Sequence, residues 1–134
     1  MTDAPRDQVL ATAAALVHAF GSHDAPAYFD FFAPEATFIF HTHPEVLGSR
    51  LAWEELWARW ESELGFRVHS CESHDPSVTM LGEDNAVFTH RVVSTIEMEG
   101  LQETVTERET IVFTRVGSRW KATHEHLSGL EGPA

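Results

Sequence analysis

Residues 112–128 read Val112-Phe113-Thr114-Arg115-Val116-Gly117-Ser118-Arg119-Trp120-Lys121-Ala122-Thr123-His124-Glu125-His126-Leu127-Ser128. Gly117-Ser118 is hairpin-turn chemistry between two runs rich in β-branched and aromatic residues, which predicts two antiparallel strands. Side chains alternate faces along a strand. Trp120, Ala122, His124, His126 and Ser128 therefore share one face, and Lys121, Thr123, Glu125 and Leu127 the other. The Trp-Ala face reads as inner, an expectation that carries both histidines onto an inner wall.

Outward from this hairpin, Phe66–Ser73, Ser77–Leu81, Ala86–Glu99, Gln102–Val116 and Arg119–Ser128 all read as strands. The last four are separated by Gly-Glu-Asp-Asn, Glu-Gly and Gly-Ser, so they should form an antiparallel meander. Before Gly65 the pattern is mostly helical. Thr2 or Asp3 caps a first helix ended by Gly21. Asp24 caps a short second helix containing Tyr28, Phe29, Phe31 and Phe32. Ala36–Thr42 is a strand limited by Pro44. Leu51–Leu64 is a third helix whose Trp53, Leu56, Trp57, Trp60 and Leu64 make one stripe. Glu131–Ala134 should fray. The expected architecture is α+β: three N-terminal helices packed on a curved antiparallel sheet, in one domain over residues 1–134 with its core at about 5–128.

The strand–Gly turn–Arg-Trp-Lys–x–x–His-x-His-x-Ser run, with Phe32-Ala33-Pro34-Glu35-Ala36-Thr37-Phe38, resembles the SnoaL-like branch of the nuclear transport factor 2-like superfamily. That superfamily includes ketosteroid isomerase, scytalone dehydratase and the hub domain of calcium/calmodulin-dependent kinase II. The resemblance implies a cone-shaped, cystatin-like fold with a pocket inside the cone and a homodimer through the outer sheet face. The chain departs from ketosteroid isomerase in having His43, not Asp, before Pro44, and Tyr28 in the second helix as its single tyrosine.

The net charge of −12 argues against nucleic-acid and anionic-membrane partners. No apolar run is long enough to span a bilayer and no secretory leader is visible, so a cytoplasmic location is expected. Cys71 is the single cysteine, which excludes an intrachain disulfide. A small organic molecule is the partner that a cone pocket implies.

Four of the 9 histidines form two His-x-His pairs, His41/His43 and His124/His126. In the first strand Ile39, His41 and His43 share a face taken as inner, which sends Phe38 and Phe40 outward toward a dimer partner. His90 can join the pocket from the Ala86–Glu99 strand. Three readings follow. In one, His41, His43, His124 and His126 perform general acid–base catalysis of an isomerisation, dehydration or cyclisation. Arg108 would then hold an oxyanion, and Trp53, Trp57, Trp60, His90 and Phe32 the substrate. In the second, the same four histidines bind a divalent transition metal (zinc, copper, nickel or iron), with His90 as another candidate ligand and Glu45 a carboxylate candidate. In the third, the histidines are scaffold and the domain binds a ligand or assembles without catalysis. His18, His23, His69 and His74 read as solvated or locally bonded. Asp30 and Glu35 would flank the pocket entrance if the implied fold holds.

Overall fold

The structure is a computed structural model and describes residues 4–130. Its elements are α1 (Ala4–Gly21), α2 (Ala25–Asp30), β1 (Phe32–Phe40), α3 (Arg50–Leu64), β2 (Arg67–Met80), β3 (Asn85–Met98), β4 (Leu101–Val116) and β5 (Arg119–Gly129). The helices begin where side chains can satisfy free backbone N–H groups. The Asp24 carboxylate accepts from the Ala27 amide, and the Ser49 hydroxyl from the Ala52 amide. Gly65, at φ 64°, closes α3 in the left-handed region, where a Cβ is disfavoured.

One five-stranded sheet runs in the order β1-β5-β4-β3-β2. The β2–β3–β4–β5 pairs are antiparallel, as the turn residues predict. Two details differ from expectation. The β1–β5 pair is parallel, because the chain crosses from one edge through α3 and three further strands before β5 returns beside β1. Residues 67–80 form one strand whose pairing slips between His74 and Ser77, so Asp75-Pro76 bends β2 without ending it. The third helix follows β1, as its place in the sequence predicts. The cap expected at Thr2 or Asp3, and the fraying expected at Glu131–Ala134, fall outside the described residues.

The core fills the concave side of the sheet. Val9, Ala13 and Leu16 of α1 pack with an aromatic cluster from α2, β1 and α3. The α3 stripe faces the core as its spacing predicts: Trp53, Leu56 and Trp57 are buried and Trp60 and Leu64 half-buried, with Trp53 and Trp57 in edge contact at 5.6 Å. Phe38 and Phe40 belong to this core: Phe40 meets Trp53 at 4.8 Å and Phe38 meets Phe32 at 5.0 Å. Their expected outward orientation is therefore overturned. Ile39 lies half-buried on the other side of β1.

Register decides the rest. Phe113 pairs with Ala122, but Val112 pairs with His124, leaving Thr123 as an extra residue. This is a β-bulge, and one added residue exchanges the two faces of every position beyond it. Trp120 and Ala122 face the core as expected. After Thr123 the inward positions are Glu125 and Leu127, while His126 is exposed and His124 half-buried against Thr37.

Candidate functional site

Between the helices and the concave sheet lies a cavity of about 680 Å³. That is within the usual range for small-molecule sites. Its walls are largely apolar and aromatic, from Phe20 of α1, Phe40 of β1, Trp53 and Trp60 of α3, Phe66, and Leu127 of β5. Its polar groups include Glu107 and Glu109 from β4, Glu125 from β5, Tyr28 from α2, and His41 just past β1.

The glutamates are there for local reasons. On β4, Glu107, Glu109, Ile111 and Phe113 alternate inward, and the last two anchor that face in the core. Glu125 joins them through the Thr123 bulge. All three glutamate side chains are buried, Glu125 most completely at 3% exposure.

Each carboxyl is held by named partners. The Tyr28 hydroxyl donates to Glu125 Oε1 at 3.0 Å and accepts from the Trp53 indole N–H at 3.2 Å. His90, whose side chain is wholly buried, bonds through Nε2 to Glu109 Oε1 at 2.6 Å and through Nδ1 to the Ser73 hydroxyl at 2.6 Å. Burial pushes the His90 pKa down to about 4. The neutral ring has one N–H, so Nε2–H donates to Glu109 and Nδ1 accepts from Ser73. Glu109 and Glu125 hydrogen-bond each other. Burial raises both their pKa values, and for Glu125 the neighbouring Glu109 charge adds to the rise. Two carboxyls this close in an apolar site keep a proton between them. The same desolvation, with the Glu125 charge, raises the Tyr28 phenol, so it stays a donor. Glu107 stands apart, bonded to His41 Nε2 at 2.6 Å.

The sequence candidates divide sharply. Trp53, Trp60 and His41 line the cavity; Trp57 and Phe32 pack behind it, against Tyr28. His90 does not line the cavity but bonds a residue that does. His124 and His126 are on the far side of the sheet, which corrects their expected place on the inner wall. The cause is the bulge. His43 sits in the turn after β1, where its amide donates to the Phe40 carbonyl. Arg108 is exposed between two inward glutamates and faces away from the cavity. Asp30 pairs with Arg119 at 3.1 Å and lies outside the cavity lining; Glu35 and Glu45 are exposed. Among the described residues no three His, Cys, Asp or Glu side chains are placed to hold one ion. The expected metal set His41, His43, His124 and His126 therefore does not assemble.

Glu107, Glu109, Glu125 and Tyr28 were not among the sequence candidates. The signal for the first two was their place in phase with Ile111 and Phe113. Cys71 lines the cavity with its thiol pushed up to about 12 by burial, which keeps it a poor nucleophile.

A family model described as a SnoaL-like domain matches residues 9–131. The chain belongs to the SnoaL-like family. Among curated proteins this SnoaL-like chain has no match. Its fold is that of many solved structures. A ketosteroid isomerase-like protein from Erwinia carotovora atroseptica aligns with TM-score 0.81 at 16% identity, over 98% of this chain and 100% of that one. An NTF2-like protein from Rhodospirillum rubrum aligns at 0.78 with 22% identity, over 92% and 98%. The CaMKII hub of S. rosetta aligns at 0.75 with 25% identity, over 97% and 100%. No helix among the described residues of this SnoaL-like domain is long and apolar enough to cross a membrane.

Proposed function

We propose that this SnoaL-like protein binds a small, mainly apolar carbonyl compound in its cone cavity and moves a proton on it, as an isomerase, lyase or cyclase does. The supporting observation is the Glu109–Glu125 pair, two hydrogen-bonded carboxyls buried in an apolar cavity with raised pKa values. A carboxyl kept neutral by its surroundings donates a hydrogen bond to a developing enolate oxygen, while its ionised partner accepts a carbon-bound proton. Tyr28 and His90 hold the two carboxyls from opposite sides and fix their geometry. Histidine acts here by positioning, through His90 on Glu109.

The test is deuterium exchange at the α-carbons of 2-tetralone, followed by NMR. Wild-type protein should accelerate exchange. Glu125→Gln and Glu109→Gln should each lower the rate at least a hundredfold while still binding the ketone. Unchanged exchange in both variants would remove the pair from any such chemistry.

A non-catalytic assembly role is a second reading, motivated by the 25% identity to the S. rosetta hub. We place the homodimer contact on the outer sheet face, where Ile39 and Val112 are half-buried beside His124, and the working compartment in the cytoplasm. Sedimentation equilibrium of wild type and Ile39→Lys checks the contact: a dimer that becomes a monomer is expected.

A further inference from the structure

We propose that the cavity selects an organic cation: a molecule with an apolar body and an amine whose ammonium group seats on Glu107. The inference rests on the reading of the cavity as a binding site but not on any turnover there.

Charge distribution carries the first part. The lining includes four glutamates, Glu103, Glu107, Glu109 and Glu125, and neither lysine nor arginine. All 9 cationic residues of the chain are elsewhere. An anion entering this cavity would lose hydration and meet only like charge. Glu103, Val105, Glu107 and Glu109 succeed one another on the inner face of β4, about 7 Å apart per two residues. The acidic groups thus run inward from exposed Glu103 to buried Glu109.

His41 carries the second part. Its Nε2 lies 2.6 Å from Glu107 Oε2, with the imidazole 40% exposed and the Glu107 side chain only 12% exposed. A nitrogen donor from the protein itself already occupies the position an incoming ammonium would take. His41 lies beyond the last residue of β1, in a turn, so its ring can be displaced without breaking the sheet. The side-chain partners of Glu109 and Glu125, His90 and Tyr28, are buried and fixed, whereas the partner of Glu107 is the part-exposed His41, which makes Glu107 the carboxylate with an exchangeable partner.

The walls carry the third. Trp53, Trp60, Phe20 and Phe66 present π-faces and edges around the cavity, and aromatic faces attract a cation as well as an apolar body. A bare metal ion does not fit, since no ligand group for one assembles among the described residues.

Calorimetry at pH 7 with three ligands of matched size tests this: 2-(1-naphthyl)ethylamine, 1-naphthaleneethanol and 1-naphthaleneacetate. The amine should bind at least tenfold tighter than the alcohol, and the acetate weakest. Glu107→Gln should remove the advantage of the amine and leave the alcohol unchanged. His41→Ala should strengthen amine binding severalfold, because the competing imidazole is gone. Glu103→Gln, at an exposed position that does not threaten folding, should weaken the amine by about two- to threefold, as a rim charge does. Equal binding of acetate and amine, or an amine preference untouched by both Glu107→Gln and His41→Ala, overturns the assignment. If the alcohol binds but the amine has no advantage, only the cation fails; if none of the three binds, the cavity reading fails with it.

Discussion

From Arg119 to Ala122, β5 follows the alternation written in its residues; from His124 onward it runs with its faces exchanged. The first half buries Trp120 and Ala122 against the helices. The second half buries Glu125 and turns His126 to the outside. One extra residue, Thr123, separates the two regimes. The difference decides whether the cavity wall is basic or acidic. The composition of the strand is the same either way, so the chemistry of the site is set by register.

The most severe way to break this comparison is Ala122→Glu, which puts an acid on the inward position before the bulge. Ala122 is wholly buried in the hydrophobic core, so the new side chain would be overpacked and without the Tyr28 partner that Glu125 has. The expected loss is more than about 4 kcal/mol, the range reserved for buried unpaired polar groups and overpacked cores. Urea unfolding measures it; a variant as stable as wild type would show that the two halves of the strand do not differ. Deletion of Thr123, by contrast, leaves His124 opposite Val112 and Glu125 opposite Ile111, so it should keep both faces as they are.

β1 offers the next contrast. Phe38→Ala should cost about 3–5 kcal/mol, as large-to-small changes in a closed core do. Ile39→Ala, one position away and half-buried on the opposite face, should cost less than half as much. Reversal of that order in thermal melts would restore the outward placement of the phenylalanines.

The carboxyl pair makes a smaller, pH-dependent difference. The raised pKa values of Glu109 and Glu125 mean that the folded protein keeps protons the unfolded chain has already lost. Stability therefore falls as pH rises above the ordinary carboxyl value of about 4.5. His90 works the other way. The unfolded chain takes up a proton as pH falls below about 6.5, whereas the native ring resists it down to about 4, so stability also falls across that window. Glu125→Gln keeps an acceptor for Tyr28 and removes the charge. It should raise the melting temperature by about 4 °C at pH 7.5, or roughly 1 kcal/mol, and by less at pH 4.5. A melting temperature lowered at pH 7.5 would mean that Glu125 is stabilising when ionised.

The smallest effects belong to the second histidine pair that the sequence put forward. His126→Ala should change stability by no more than about 0.5 kcal/mol. His124→Ala should cost about 1 kcal/mol through the lost 2.8 Å contact with Thr37. Neither should alter ligand affinity in the cavity, as calorimetry would show.

Much of the architecture was legible because it is encoded locally. Ser49 and Gly65 bound α3, the tryptophan stripe has helical spacing, and Gly100 and Gly117 take the positive φ values that tight hairpin turns need. The β1–β5 pairing was not legible, because nothing in Phe32–Phe40 records a partner some ninety residues later. The bulge left no mark either: Thr123 is an ordinary strand residue, and its extra position is imposed by the strands on each side. The buried acids on β4 were readable in principle. Glu107 and Glu109 share a face with Ile111 and Phe113, and an acidic residue in phase with core residues is more informative than a histidine pair at a strand end.

The placement of β5 between β1 and β4 has a consequence for how the chain is made. β1 gains its sheet partner only after β5 has been synthesised, and β4 presents an unpaired edge until then. A ribosome still short of residue 119 therefore carries a helix-and-meander fragment with two strand edges open to neighbours. The stretch translated last among the strands closes both at once, so stalled or shortened products should aggregate far more readily than the finished chain.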